Sequence, residues 1–168
     1  PDEKLVTDFQ NGNDIAFVKL YGRYKHAVYV FCLRMLGDAD GAKDIVQSVF
    51  LKVYEQRHRL HSPERFRGWI FTIARNACLT SRRHGKFYDR GDNGLEHVGG
   101  ETSHDEFSRM EETEIVRGAI AGLKPEYREV LILREYQGFS YREIADVIGS
   151  TEAAVKSRLV EEGVHLHE

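Results

Sequence analysis

Apolar residues recur along this chain at three- and four-residue steps, and no stretch alternates residue by residue, so the pattern predicts an all-α protein. Between Asn13 and Gly37, the positions Phe17, Leu20, Tyr21, Tyr24, Val28, Phe31, Cys32 and Met35 keep helical spacing, with Asn13 or Asp14 suited to cap the start and Gly37 to end it. A second helix is expected from just after Asp40 to about Gln56. There Ile45, Val46, Val49, Phe50 and Val53 populate one side, while Asp44, Gln47, Ser48 and Leu51 share the other. A third is expected from Ser62, a capping residue, with Pro63 at the first helical position, to about Arg83. It turns Ile70, Ile73, Ala74 and Ala77 inward and leaves Trp69, Thr72, Arg75 and Asn76 outward. Three such helices can close one core.

The C-terminal pattern is denser in start and stop signals. "KPEYREVLILREYQG" predicts a helix with Pro125 near its start and Gly138 past its end. Ser140 and Glu143 then form an S-x-x-E capping box, and Phe139 with Ile144 occupies the two positions of a hydrophobic staple. Gly149 permits a turn, Ser150 or Thr151 caps the next helix, and Val155 and Leu159 point inward against Ala145 and Ile148. This is the layout of a helix-turn-helix. Its second helix presents Glu152, Ala153, Lys156, Ser157 and Arg158 outward, a pattern suited to the major groove of duplex DNA. A helical hairpin that only packs is the structural alternative.

Charge divides the chain. Net charge is −3, yet from Arg57 to Lys86 eight cations face the single acid Glu64, whereas from Asp89 to Glu112 eight acids face two arginines. The acidic stretch is rich in glycine and poor in large apolar residues, as expected of a flexible linker. The expected organisation is therefore a helical domain over 1–86, a linker over 87–112 and a helix-turn-helix domain over 113–168. At 168 residues with 41% apolar content, there is enough material for folded cores.

Several classes are set aside by what the sequence lacks. No run reaches the roughly 18 apolar residues of a membrane helix, and the first residues lack the basic-then-apolar layout of a signal peptide, so a cytoplasmic protein without membrane insertion is expected. Cys32 and Cys78 lack metal-ligand spacing and are expected to be small buried hydrophobes, and His165 with His167 has no third ligand nearby; no metal or other cofactor is expected. Without a Walker loop, a dinucleotide fingerprint, G-x-S-x-G or H-E-x-x-H, no enzyme and no small-molecule substrate are expected. The polar face of the second helix reads either as a solvated surface or as a docking face. The third helix sets Trp69 among arginines, which suits stacking on unpaired bases or, equally, an ordinary core tryptophan.

Taken in order, "DIVQSVFLKVY", "FRGWIFTIARNACLTSRR", the acidic stretch and "LKPEYREVLILREYQGFSYREIADVIGSTEAAVKSRL" resemble a bacterial RNA polymerase sigma factor of the extracytoplasmic-function group. That resemblance implies a transcription initiation factor whose first domain binds core RNA polymerase and the promoter −10 element and whose second binds the −35 element. It implies polymerase binding through Asp44, Gln47, Ser48 and Leu51. For the −10 element it implies the loop Arg59, Leu60, His61, Arg65 and Phe66, which would pocket a flipped base, together with Trp69, Arg75, Asn76, Arg82 and Arg83. For the −35 element it implies Ser140, Arg142, Thr151, Glu152, Ala153, Ala154, Lys156, Ser157 and Arg158. An anti-sigma factor is the regulatory partner it implies. The ending "VEEGVHLHE" departs from the basic tail usual in the group. The acidic linker and the glutamates of the second domain are expected to suppress binding of the free factor to DNA until polymerase separates the two domains. A helix-turn-helix regulator acting without polymerase is the alternative.

Overall fold

The computed structural model describes residues 2–83 and 114–162, and their regular elements are all helical. The expected linker over 87–112 and the ending after Glu162 lie outside the described residues. The first helix, α1 (Asp2–Gln10), was not foreseen from the sequence. Its register is short but sound: Val6 and Phe9 are buried, and Asp2 and Glu3 place negative charge on the first turn. The Asp2 carboxylate accepts hydrogen bonds from the Tyr24 hydroxyl and the Arg23 guanidinium, which ties α1 to the second helix. The Tyr24 bond, joined by Arg23, lowers the Asp2 pKa against an opposing effect of burial; burial and the Asp2 bond in turn raise that of Tyr24.

Helix α2 (Asp14–Leu36) begins where the sequence predicted. The Asn13 side chain accepts from the amides of Ile15 and Ala16 at 3.0 and 3.2 Å, and Gly37 ends the helix at φ 70°, donating to the Leu33 carbonyl. Helix α3 (Ala39–Glu55) starts two residues earlier than expected because Asp38 caps it. Helix α4 (Phe66–Arg83) starts three residues later than expected. Pro63 does occupy a first helical position, but of a 3₁₀ turn, Pro63–Arg65, and the Ser62 side chain makes no capping bond. The tight turn drops Phe66 into the core, where its ring meets Tyr24 at 5.3 Å.

After the undescribed segment come α5 (Glu114–Ala121), α6 (Pro125–Glu135), α7 (Tyr141–Ile148) and α8 (Glu152–Glu162). The capping box forms in full: Ser140 and Glu143 exchange side-chain and backbone hydrogen bonds at 3.1 and 3.0 Å. Gly149 makes the turn at φ 68°, and Thr151 Oγ1 accepts from the Ala154 amide at 3.1 Å.

The two helical units do not stay apart. Helix α4 lies against α2 and α3 on one side and α7 on the other, and α2 also touches α5 and α6, so a single hydrophobic cluster runs through both. Phe71 of α4 and Phe139 before α7 meet edge to face at 5.2 Å, both fully buried. Burying a ring of this size is worth about 1.5–3 kcal/mol. Cys32 and Cys78 are also fully buried; the hydrogen bond between the two thiols, reinforced by burial, raises the Cys32 pKa well above the usual range, which fits their expected role as inert core residues.

Because the pKa of Asp2 is lowered by folding, its contact stabilises the protein above the ordinary carboxylate range and is lost as pH falls through the folded value. Amide exchange along α1 should therefore accelerate on acidification, and Asp2→Asn should remove most of that pH dependence. Equal acceleration in the variant would assign the effect elsewhere.

Candidate nucleic-acid interface

On α3, the helical register leaves Asp44, Gln47 and Ser48 exposed along one stripe, with Leu51 beside them at 59% exposure, while Ile45, Val46, Val49 and Phe50 are buried behind. The exposed apolar residues Ile15 and Val18 of α2 lie on the same unit. The α3 stripe thus combines hydrogen-bonding groups with one exposed apolar side chain, Leu51.

Between α3 and α4 runs the segment that the family resemblance implies as a base pocket. Arg59, His61 and Arg65 are exposed, whereas Leu60 and Phe66 are buried and anchor it to the core. Gln10, which the sequence reading passed over, fixes its shape: its side-chain amide donates to the carbonyls of Arg57 and Leu60 at 2.8 and 2.7 Å. Only α1, the unforeseen helix, brings Gln10 there.

The outward side of α4 is partly covered. Trp69 is half-buried, its ring 6.0 Å from that of Phe66. Thr72 donates to the Gly68 carbonyl at 2.8 Å, and Asn76 alone of the four residues expected outside is exposed. Arg75 makes a forked pair with Glu129 of α6, at 2.7 and 3.2 Å, and Glu129 itself is 1% exposed. Arg82 and Arg128 both donate to the Met35 carbonyl, at 3.3 and 2.9 Å. The Arg83 side chain lies outside the described residues. Arg67 stacks on Phe139 at 4.0 Å and donates to the Gln137 carbonyl, and the Gln137 side chain reaches the Ala27 carbonyl at 3.2 Å.

Between α4 and α7 a cavity of about 480 Å³ remains, with Arg65, Trp69 and Thr72 on one wall and Arg142 and Asp146 on the other. On the helix-turn-helix, Ser140 and Arg142 are exposed, as are Thr151, Glu152, Ala153, Lys156 and Ser157. Ala154 is half-buried, and Arg158 turns back so that Nη1 lies 3.9 Å from Glu129 Oε1. The tip of α8 is thus exposed, while Trp69, Thr72 and Arg75 on α4 are partly covered. Sequence spacing predicted which face each residue occupies but not that another unit covers one of those faces. Glu129 could have been noticed, since a lone acid ahead of the apolar run Val130–Leu133 must find a cation once buried.

The family models of Sigma-70 region 2 and Sigma-70 region 4 match residues 20–87 and 113–161. The chain is 31% identical over 142 residues to the ECF RNA polymerase sigma factor SigL of Mycobacterium tuberculosis, covering 83% of this chain and 80% of that one. Its fold is similar to that of CnrH in complex with the cytosolic domain of CnrY, at a TM-score of 0.71 and 24% identity, covering 96% of this chain and 91% of that one. It is also similar to the sigma factor RpoE in complex with the anti-sigma factor NepR from Bartonella quintana, at a TM-score of 0.65 and 22% identity, covering 87% and 91%.

Gln10→Ala would leave two partly buried carbonyls short of a donor, at a cost of about 1–2 kcal/mol. Urea unfolding should show the loss, and amide exchange should show it concentrated between Arg57 and Phe66. Unchanged protection of that segment would contradict the assigned role.

Proposed function

Because the chain belongs to the extracytoplasmic-function group of sigma-70 factors, and so is a transcription initiation factor that binds RNA polymerase and recognises promoters, we propose how its surfaces divide that work. The unit over 1–86 docks on core polymerase through Asp44, Gln47, Ser48 and Leu51, all exposed along α3. The same unit opens the −10 element. The loop from Arg59 to Phe66 takes one flipped non-template base, and Trp69, Arg75, Asn76, Arg82 and Arg83 hold the freed strand. Unstacking a base costs a few kcal/mol, and ring stacking at about 1–3 kcal/mol per base, with phosphate contacts added, offsets it.

The unit over 113–168 reads the −35 element as duplex. The N-terminal half of α8, with Glu152, Ala153, Lys156 and Ser157 exposed, enters the major groove, and Thr151, Ser140 and Arg142 lie near the backbone. The segment over 87–112 spans the two. The observation that carries this reading is the contrast in exposure: the docking stripe of α3 is uncovered, and Arg75 on α4 is locked to Glu129. Promoter opening then requires the units to part, and polymerase drives this by binding the parted form more tightly. An anti-sigma factor, the kind of partner found with the related RpoE, acts in the opposite sense by holding the closed form.

Co-purification with core polymerase and transcription from a defined promoter test the assignment together. Asp44→Ala with Gln47→Ala should abolish assembly while leaving the fold intact by circular dichroism; assembly at full strength would remove α3 as the docking face. Transcription mapped after overexpression supplies the promoter sequence. On that promoter, Lys156→Ala should weaken −35 recognition by about 1–3 kcal/mol and relax preference at one base pair. Tight, specific binding of the isolated chain to promoter duplex, without polymerase, would favour a free-standing regulator instead.

A further inference from the structure

Glu129 sits on α6 directly before the buried residues Val130, Leu131, Ile132 and Leu133, and its side chain is only 2% exposed. A carboxylate so placed stays ionised only with cations against it. Two reach it, one from each helical unit. Arg75 of α4 donates from Nε to Oε2 at 2.7 Å and from Nη2 to Oε1 at 3.2 Å, a forked pair that engages both oxygens. Arg158 of α8 stops with Nη1 3.9 Å from the same Oε1, beyond hydrogen-bond reach. The closer partner thus comes from the other unit, and the arginine of Glu129's own unit is held off.

We infer that Glu129 is an exchange seat: it binds Arg75 while the units are closed and passes to Arg158 when they part. The reason is the burial of the carboxylate. Once Arg75 leaves, an uncompensated charge remains inside the unit, and Arg158, already beside it, needs to move by only about 1 Å to form a charge-assisted bond. A guanidinium bonded twice to Glu129 keeps three of its five donors for other groups. Arg158 would then be fixed in place on α8 in the same event that frees Arg75 on α4. Glu129 is on this account a positioning residue, acting on DNA only through the two arginines. The consequence for DNA rests on the surfaces assigned under Proposed function; the exchange itself does not.

The exchange is tested first in the free, full-length chain without DNA. Spin labels on Lys52→Cys of α3 and Glu126→Cys of α6, both exposed sites, report the separation of the units, with the buried Cys32 and Cys78 left native. Arg75→Gln should move the distance distribution to longer values. Arg158→Lys, which keeps the charge but loses the fork, should move it to shorter values, because the competitor for Glu129 has been weakened. A carboxylate that merely stabilised its own unit would not respond in that second way. If Arg158→Lys leaves the distribution unchanged or lengthens it, or if Arg75→Gln has no effect, the exchange is refuted. Glu129→Gln should open the chain and make an added Arg75→Gln silent, which keeps the test decisive should either arginine variant fold poorly.

Fluorescence anisotropy with a duplex carrying the mapped −35 element then separates the two proposals. Arg75→Gln should bind several-fold more tightly than wild type, and Glu129→Gln several-fold more weakly although both are open. Changes of the same sign would overturn the positioning role. Equal binding by all variants, with the distance shifts present, would support the exchange and instead remove α8 from the DNA assignment.

Discussion

Burying an acid is tolerable only where cations close on it, and in this chain that requirement is met across a boundary. Glu129 takes a forked bond from Arg75, a residue of the other unit that we propose holds a nucleic-acid strand when the units part. Around that bond the other contacts between the units fall into place: Phe71 against Phe139, Arg67 over the same ring, and Arg128 reaching the Met35 carbonyl at the end of α2. Each closes the first unit against the second through α4 or the adjoining end of α2. The energetics favour a conditional clamp over a permanent one. Removing a single partner from a buried pair is costly, but exchanging one arginine for another is not.

This arrangement relates the two activities of a sigma factor physically. On the proposed division of surfaces, polymerase docks on α3, whose stripe Asp44, Gln47, Ser48 and Leu51 is exposed while the units are closed. On the same proposal, the freed strand is held on the side of α4 whose Arg75 is paired with Glu129 in the closed form. In the closed form Arg75 is withheld from the phosphate contacts that supply nonspecific DNA binding, while Arg59, Arg65, Arg142 and Lys156 stay exposed. We propose that one glutamate of the second unit, Glu129, contributes to the expected restraint on DNA binding by holding Arg75. The acidic segment expected to share that role lies outside the described residues.

Much of the fold was legible in the sequence because caps and periodicity act locally. Asn13, Gly37, the Ser140–Glu143 box and Gly149 mark helix ends through bonds made within a few residues, and all of them do so in the structure. Where a local signal had two readings, the prediction slipped: Ser62-Pro63 fits the start of an α-helix or of a 3₁₀ turn, and only the pull of Phe66 into the core decides between them. Helix α1 was missed because its apolar set, Leu5, Val6 and Phe9, is too short to show a period and is made helical by packing on α2 and by Asp2 bonding Tyr24. The site was legible as faces but not as partners. Spacing put Arg75 outside and Glu129 on a helix, and no rule of spacing pairs two residues that lie in different units.

The account turns on whether the free chain is closed through α4 and opens on meeting polymerase. The direct measurement is the distance between labels on α3 and α6 of the wild-type chain, recorded alone and after addition of core RNA polymerase. A distribution mostly short, with a minor longer population, that becomes wholly long on assembly is the predicted result. The same distribution in both states would contradict the account.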